Sequence, residues 1–135
     1  YGPTDMNLRV SQYFIEKALK KEELKIHGKT EKLDFTFVDD LANGCILASN
    51  KVNGSNQIFN ITFGNARLLS DFAKILTKYF KGLKYKIVDR DKNRPKRGTL
   101  SNVKSRKLLG FKPKINLEKG IKIYLDFFKN LNKMK

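Results

Sequence analysis

Five basic side chains fall within ten positions, Asp89–Gly98, which read DRDKNRPKRG. A guanidinium grips phosphate oxygens through a planar fork, and a proline stiffens a loop before anything binds. Arg94, Lys96 and Arg97, set around Pro95, therefore suit a diphosphate. A groove for nucleic acid would interleave aromatic rings with the cations for base stacking. No aromatic residue stands between Asp89 and Gly98. On residue types alone, a solvated basic turn stays open beside the diphosphate reading.

Other chemistry is sparse. His27 is the single histidine and Cys45 the single cysteine, so neither a zinc-ligand spacing nor an internal disulfide can be assembled. Cys45 lies in the apolar run LANGCILAS, which predicts a buried structural thiol. There is no GxSxG, P-loop or GxGxxG. Asp39 and Asp40 are adjacent at a helix start, where neighbours point apart and capping is the better account. Asn60 stands among apolar residues at a strand end and needs partners if buried. A backbone bond to the next loop and a ligand contact are both open for it. No convincing acid, base or cofactor set emerges, so the residues read as a binding portion.

The elements that must position these residues alternate. Val10–Lys20 has helical spacing, and Leu24–Gly28 is a short strand ended by glycine. Asp34–Val38 is β-rich, and a helix follows it through Ala48. QIFNITF, Gln57–Phe63, alternates strictly and predicts a strand with apolar side chains on both faces. Leu69, Phe72, Ala73, Leu76 and Phe80 form the core stripe of a helix that Ser70 can cap. Lys84–Val88 predicts another strand, leading into the basic loop. Ser101 or Asn102 can cap a short helix stopped by Gly110, and Asn116 can cap a last helix that buries Leu117, Ile121, Leu125 and Phe128. The fold class is mixed α/β, without the regular alternation of a self-contained doubly wound sheet.

The length, 135 residues, suits one domain, and 40% hydrophobic residues can build a core. Lys and Arg outnumber Asp and Glu by 29 to 13, a net charge of +16. That excess invites a polyanionic partner. The lysines are spread along every segment, however, as on a solvated surface. No run approaches the ~20 apolar residues of a membrane span, and the first ten residues carry no signal-peptide core. A cytoplasmic location and no membrane partner are the default expectations.

Five landmarks in order resemble the C-terminal part of extended short-chain dehydrogenases/reductases, the NAD-dependent nucleotide-sugar epimerases and dehydratases. They are YGP at Tyr1–Pro3, LKIHGKTEKLDFTFVDDLANG, IFNITFG, RPKRGTLSNVKSRKLLGFKP and LEKGIKIYLDFF. The likeness covers nearly all of the chain. It implies a substrate-binding portion, residues 1–135 as a single unit, that closes over a nucleoside diphosphate sugar beside NAD. It also implies short mixed strands and about five helices. Arg97 matches the late basic residue that pairs with the diphosphate, and Asn60 the strand-end asparagine near the nucleotide. Arg9 and Val10, with Leu8, match the segment bordering the substrate. Leu24 and Ile26 match the short strand flanking the base. Leu33 stands where the family often has an arginine aimed at the diphosphate, and Lys32 or Arg94 is the available substitute.

The family's NAD loop and its Tyr-x-x-x-Lys pair are absent from these residues; Tyr1 has Asp5 four positions on, not lysine. The resemblance therefore implies that NAD belongs to a full-length enzyme and is not bound by this chain alone. It implies too that the N-terminal dinucleotide-binding half lies outside these residues, and that residues 39–63 would complete its sheet. Whether the chain is itself an enzyme is left open. A small basic nucleic-acid-binding module and a non-catalytic interaction protein that kept the fold are the alternatives. The chain alone is expected to be marginal, either a homodimer through the exposed edge of QIFNITF or partly molten.

Overall fold

Leu24 and Ile26 point inward and Lys25 and His27 outward, the period-two alternation of a strand lying on a core. In the computed structural model, which describes residues 1–4 and 9–133, this strand is β1 (Leu24–His27). It follows α1 (Val10–Leu19) and precedes a short β2 (Lys32–Leu33) and α2 (Val38–Asn50). A single 3-10 turn at Val52–Gly54 leads to β3 (Arg67–Leu68) and α3 (Leu69–Tyr79). Next come β4 (Tyr85–Val88), α4 (Val103–Leu109) and α5 (Leu117–Lys133). β1 pairs in parallel with β4, Leu24 opposite Tyr85 and His27 opposite Val88. β2 pairs antiparallel with β3. The described residues thus form an α/β arrangement with five α-helices.

The core lies where α1, α3 and α5 meet the β1–β4 pair. Phe14 and Ile15, Leu24 and Ile26, Phe72 and Leu76, and Ile121 and Tyr124 are all buried in one cluster. The α3 stripe falls as its spacing predicts, with Phe72, Ala73 and Leu76 buried. Gly110 ends α4 in the left-handed region, φ 68°. Asn116 caps α5, its Oδ1 accepting from Lys119 N at 2.9 Å. Gly120 has a packing reason: a Cβ there would lie 2.0 Å from the Tyr1 hydroxyl. The missing side chain lets the Tyr1 ring sit edge-on to Phe35, Phe37 and Phe72. Among the described residues no helix is long and apolar enough to cross a membrane.

Several local expectations are corrected. Asp34–Val38 is not a strand: Val38 already begins α2, and the preceding residues form no ladder, though the Tyr1 amino group donates to Thr36 O at 2.8 Å. Gln57–Phe63 forms no ladder and, among the described residues, no backbone–backbone bond. A strand exists only through a hydrogen-bonded neighbour, and this segment is held by side chains instead. Asn102 Nδ2 donates to Thr62 O and Phe63 O, Ser105 Oγ to Asn60 O, and Thr36 Oγ1 accepts from Phe63 N. Asp40 does not cap α2. Its buried carboxylate accepts from Lys114 N and Ile115 N, each about 2.9 Å away, and fastens α2 to the segment before α5. Ser70 does not cap α3; Asp71 reaches back to Leu68 N at 3.3 Å. Cys45 is exposed, not buried.

The reason for that exposure is the orientation of α2. Only Asp40 and Gly44 are buried along it. Val38, Leu41, Ala42, Cys45, Ile46 and Ser49, at helical spacing, face away from the core, with Ile46 57% exposed. Gly44 meets Ile61 of the unladdered segment; a Cβ at 44 would lie 2.2 Å from Ile61 Cγ2.

Candidate functional site

A cavity of about 980 Å³ opens between the start of α1, β1, the 31–36 segment and the basic loop. Each wall has a local cause. β1 alternates, so Lys25 and His27 edge the opening while Ile26 closes its floor. Parallel pairing with β4 carries the chain straight from Val88 into the basic loop, bringing Arg94, Pro95 and Arg97 to the rim. The helix start supplies Arg9 and Val10.

Of the residues expected at a site, Arg9, Val10, Ile26, Arg94 and Arg97 all line this cavity. Leu24 does not: it is wholly buried in the core one pleat away from Ile26. Asn60 does not line it either. Its side-chain amide donates to Ser101 O at 3.0 Å, the backbone bond to the next loop. Leu8 lies outside the described residues. Lys25, Lys32, Asp34, Thr36 and Ile61 also line the cavity. The sequence signal for Asp34 and Thr36 was present in LDFTFV but read as strand composition.

The rim's charges are unequally engaged. Glu31 is bound by Arg90 at 2.6 Å. Asp34 accepts from Gly64 N and Leu100 N, each at 3.2 Å. Both carboxylates that line the cavity are therefore satisfied within the chain. Arg94 is tied at Nε to Asp91 at 3.2 Å. Among the described residues Arg97 makes no hydrogen bond or ion pair, and it lines the cavity from an exposed position. Lys25 and Lys32 are likewise uncommitted. What is left over is positive charge facing a concave, partly apolar surface, a setting for an anionic ligand with an apolar or planar part.

Tyr1 lines the cavity but is engaged elsewhere. Its hydroxyl donates toward the carbonyls of Asn116 and Leu117. Burial, with the charges of Glu118 and Asp40 adding, pushes that hydroxyl well above the ordinary phenol value. It is a neutral structural donor, not a base.

Among the described residues, no site built for a dinucleotide diphosphate is found at the ends of β1 and β4 or at the starts of α2 and α3. Such a group sits where a strand turns through glycines into a helix N-terminus. Here β1 and β4 run into a turn and a loop. The first turn of α2 carries Asp39 and Asp40, and the N-terminus of α3 is occupied by Asp71.

Residues 1–62 match the model of the NAD dependent epimerase/dehydratase family. A Methanocaldococcus jannaschii protein that carries the provisional name UDP-glucose 4-epimerase is 30% identical over 129 residues, 92% of this chain and 40% of that one. Among solved structures, UDP-glucose 4-epimerase of Thermotoga maritima with UDP-glucose superposes with a TM-score of 0.84 at 30% identity, covering 98% of this chain and 44% of that chain. UDP-glucuronic acid 4-epimerase of Bacillus cereus, in complex with UDP-glucuronic acid and NAD, superposes with a TM-score of 0.86 at 25% identity, covering 97% and 43%. The fold is thus part of that of the extended short-chain dehydrogenases/reductases. Within that class the chain is a partial-length relative of the NAD-dependent nucleotide-sugar epimerases. It spans about two fifths of the length of the curated relatives it matches, 39% of one and 40% of another.

Proposed function

We propose that this chain is the substrate-binding portion of an NAD-dependent epimerase or dehydratase, and that its cavity takes a nucleoside diphosphate sugar. The observation that carries the reading is the charge pattern of the rim. Glu31 and Asp34 are satisfied internally, while Arg97 is unengaged among the described residues and stands on a proline-stiffened loop. The ligands of the two UDP-sugar complexes above support the substrate class. Arg97 and Lys32 hold the diphosphate, and Lys32 does what an arginine at position 33 does elsewhere in the family. Val10 and Ile26 border the sugar and base. NAD is supplied with a second, cofactor-binding part. That part covers the apolar stripe of α2, and the segment within residues 39–63 that forms no ladder here joins its sheet.

Calorimetry with UDP, uridine and a 20-base-pair duplex tests the reading. UDP is expected to bind, and uridine, lacking the diphosphate, to bind at least tenfold more weakly, a difference of about 1.4 kcal/mol. Binding of the duplex with a steep salt dependence, and none of UDP, would make the chain a nucleic-acid module instead.

A further inference from the structure

The basic loop has no regular secondary structure from Asp89 to Gly98, and Lys92–Gly98 is exposed. A cation on a loose loop loses much of its affinity to the entropy of ordering it. Something must hold this loop if Arg97 is to serve the cavity.

We infer that Arg90 is the positioning residue of the site: with Glu31 it clips the basic loop to the turn after β1, so that Arg97 faces the cavity. The inference rests on the substrate-binding reading above. Arg90 itself does not line the cavity. Its Nε donates to Glu31 Oε1 at 2.6 Å, across 59 residues of sequence. This is the most buried ion pair among the described residues, its side chains 27% and 15% exposed. The same guanidinium donates through Nη2 to the carbonyl of Arg94, the residue immediately before Pro95. A planar fork serves two such acceptors with little loss of freedom, which an ammonium does less well. Glu31 is anchored in turn, its carbonyl accepting from Leu69 N at 3.0 Å. The turn makes room for the pair. Gly28 has φ +91°, and a Cβ there would lie 2.7 Å from Glu31 Cγ and 3.3 Å from Arg90 Cβ. Asp91 closes the remaining ring, accepting from Asn93 N and from Arg94 Nε.

The clip also sets the electrostatics. Glu31 lines the cavity, and Arg90 neutralises it there. This separates positioning from charge by sign. Glu31→Ala removes an anion from the rim, so charge alone would tighten binding of a diphosphate. If the clip positions Arg97, the same substitution weakens binding.

UDP affinity is measured by calorimetry on the chain and three variants, with thermal melting to verify folding. Arg97→Ala tests the underlying reading: UDP binding unchanged in that variant overturns both the reading and the clip. With Arg97→Ala weakened, Arg90→Gln is expected to lower UDP affinity about tenfold and Glu31→Ala about fivefold. Glu31→Ala binding UDP as tightly as the parent, or more tightly, overturns the clip and leaves the substrate reading standing. That outcome decides even where Arg90→Gln fails to fold.

Discussion

Arg97 and Lys51 are both exposed cations, and only their surroundings distinguish them. Arg97 stands at a cavity whose carboxylates are already bound; Lys51 follows the end of α2, outside that cavity. Charge-assisted hydrogen bonds contribute about 1.5–3 kcal/mol. Arg97→Ala is therefore expected to lower UDP affinity by roughly that amount, with Lys51→Ala changing little. Titration calorimetry reads both, and equal effects would mean that charge is felt only diffusely. Buried Asp40 offers a contrast. It does not line the cavity, and its carboxylate accepts from two backbone N–H groups that have no other partner among the described residues. Asp40→Ala leaves those donors unpaired, at a cost of about 1–3 kcal/mol. Urea unfolding should record that loss with UDP affinity unaltered.

At the scale of the element, α2 is covered on one face and bare on the other. Its covered face works by close approach: Ile61 lies where a side chain at Gly44 would begin. An unconstrained helical glycine replaced by alanine gains about 1 kcal/mol from propensity. Here overpacking costs about 1–3 kcal/mol and wins. Gly44→Ala should therefore lower the urea midpoint, while Asn43→Ala, one position earlier and exposed, should leave it unchanged or raise it. A higher midpoint for Gly44→Ala would mean that the 57–63 segment does not rest on α2.

For the whole molecule, α2 and the 57–63 segment both expose apolar side chains. Leu41 and Ile46 lie on α2, and Ile58 is 89% exposed. Exposed apolar surface marks an interaction site where such side chains adjoin. Burial contributes about 25 cal/mol per Å², so covering it would add appreciably to the roughly 5–15 kcal/mol of a typical domain. The isolated chain is expected to self-associate in sedimentation despite its +16 charge. Ile46→Glu together with Ile58→Glu should give a monomer. Monomeric behaviour of the parent at high concentration would contradict that expectation. Calorimetry of the same chain with NAD should register no binding, since neither β1 nor β4 leads into a helix start.

Local periodicity and end chemistry made the helices legible. The α3 stripe, the Gly110 stop and the Asn116 cap act within one or two turns, so neighbouring residues carry enough information to place them. The run of cations after β4 was legible too, but that it reaches the cavity was decided by the pairing of β1 with β4. What lay beyond the sequence was every property that depends on a distant partner. Alternation in QIFNITF marks a capacity to pair, but a ladder needs a neighbour, and side chains of Asn102 and Ser105 hold the segment instead. An apolar run around Cys45 marks a helix face, but only packing decides which face is covered. Arg90 and Glu31 are 59 residues apart and read as ordinary surface charge. Tertiary structure joined them because parallel pairing of β1 with β4 brings both strand ends to the same side, and there a half-buried ion pair could form.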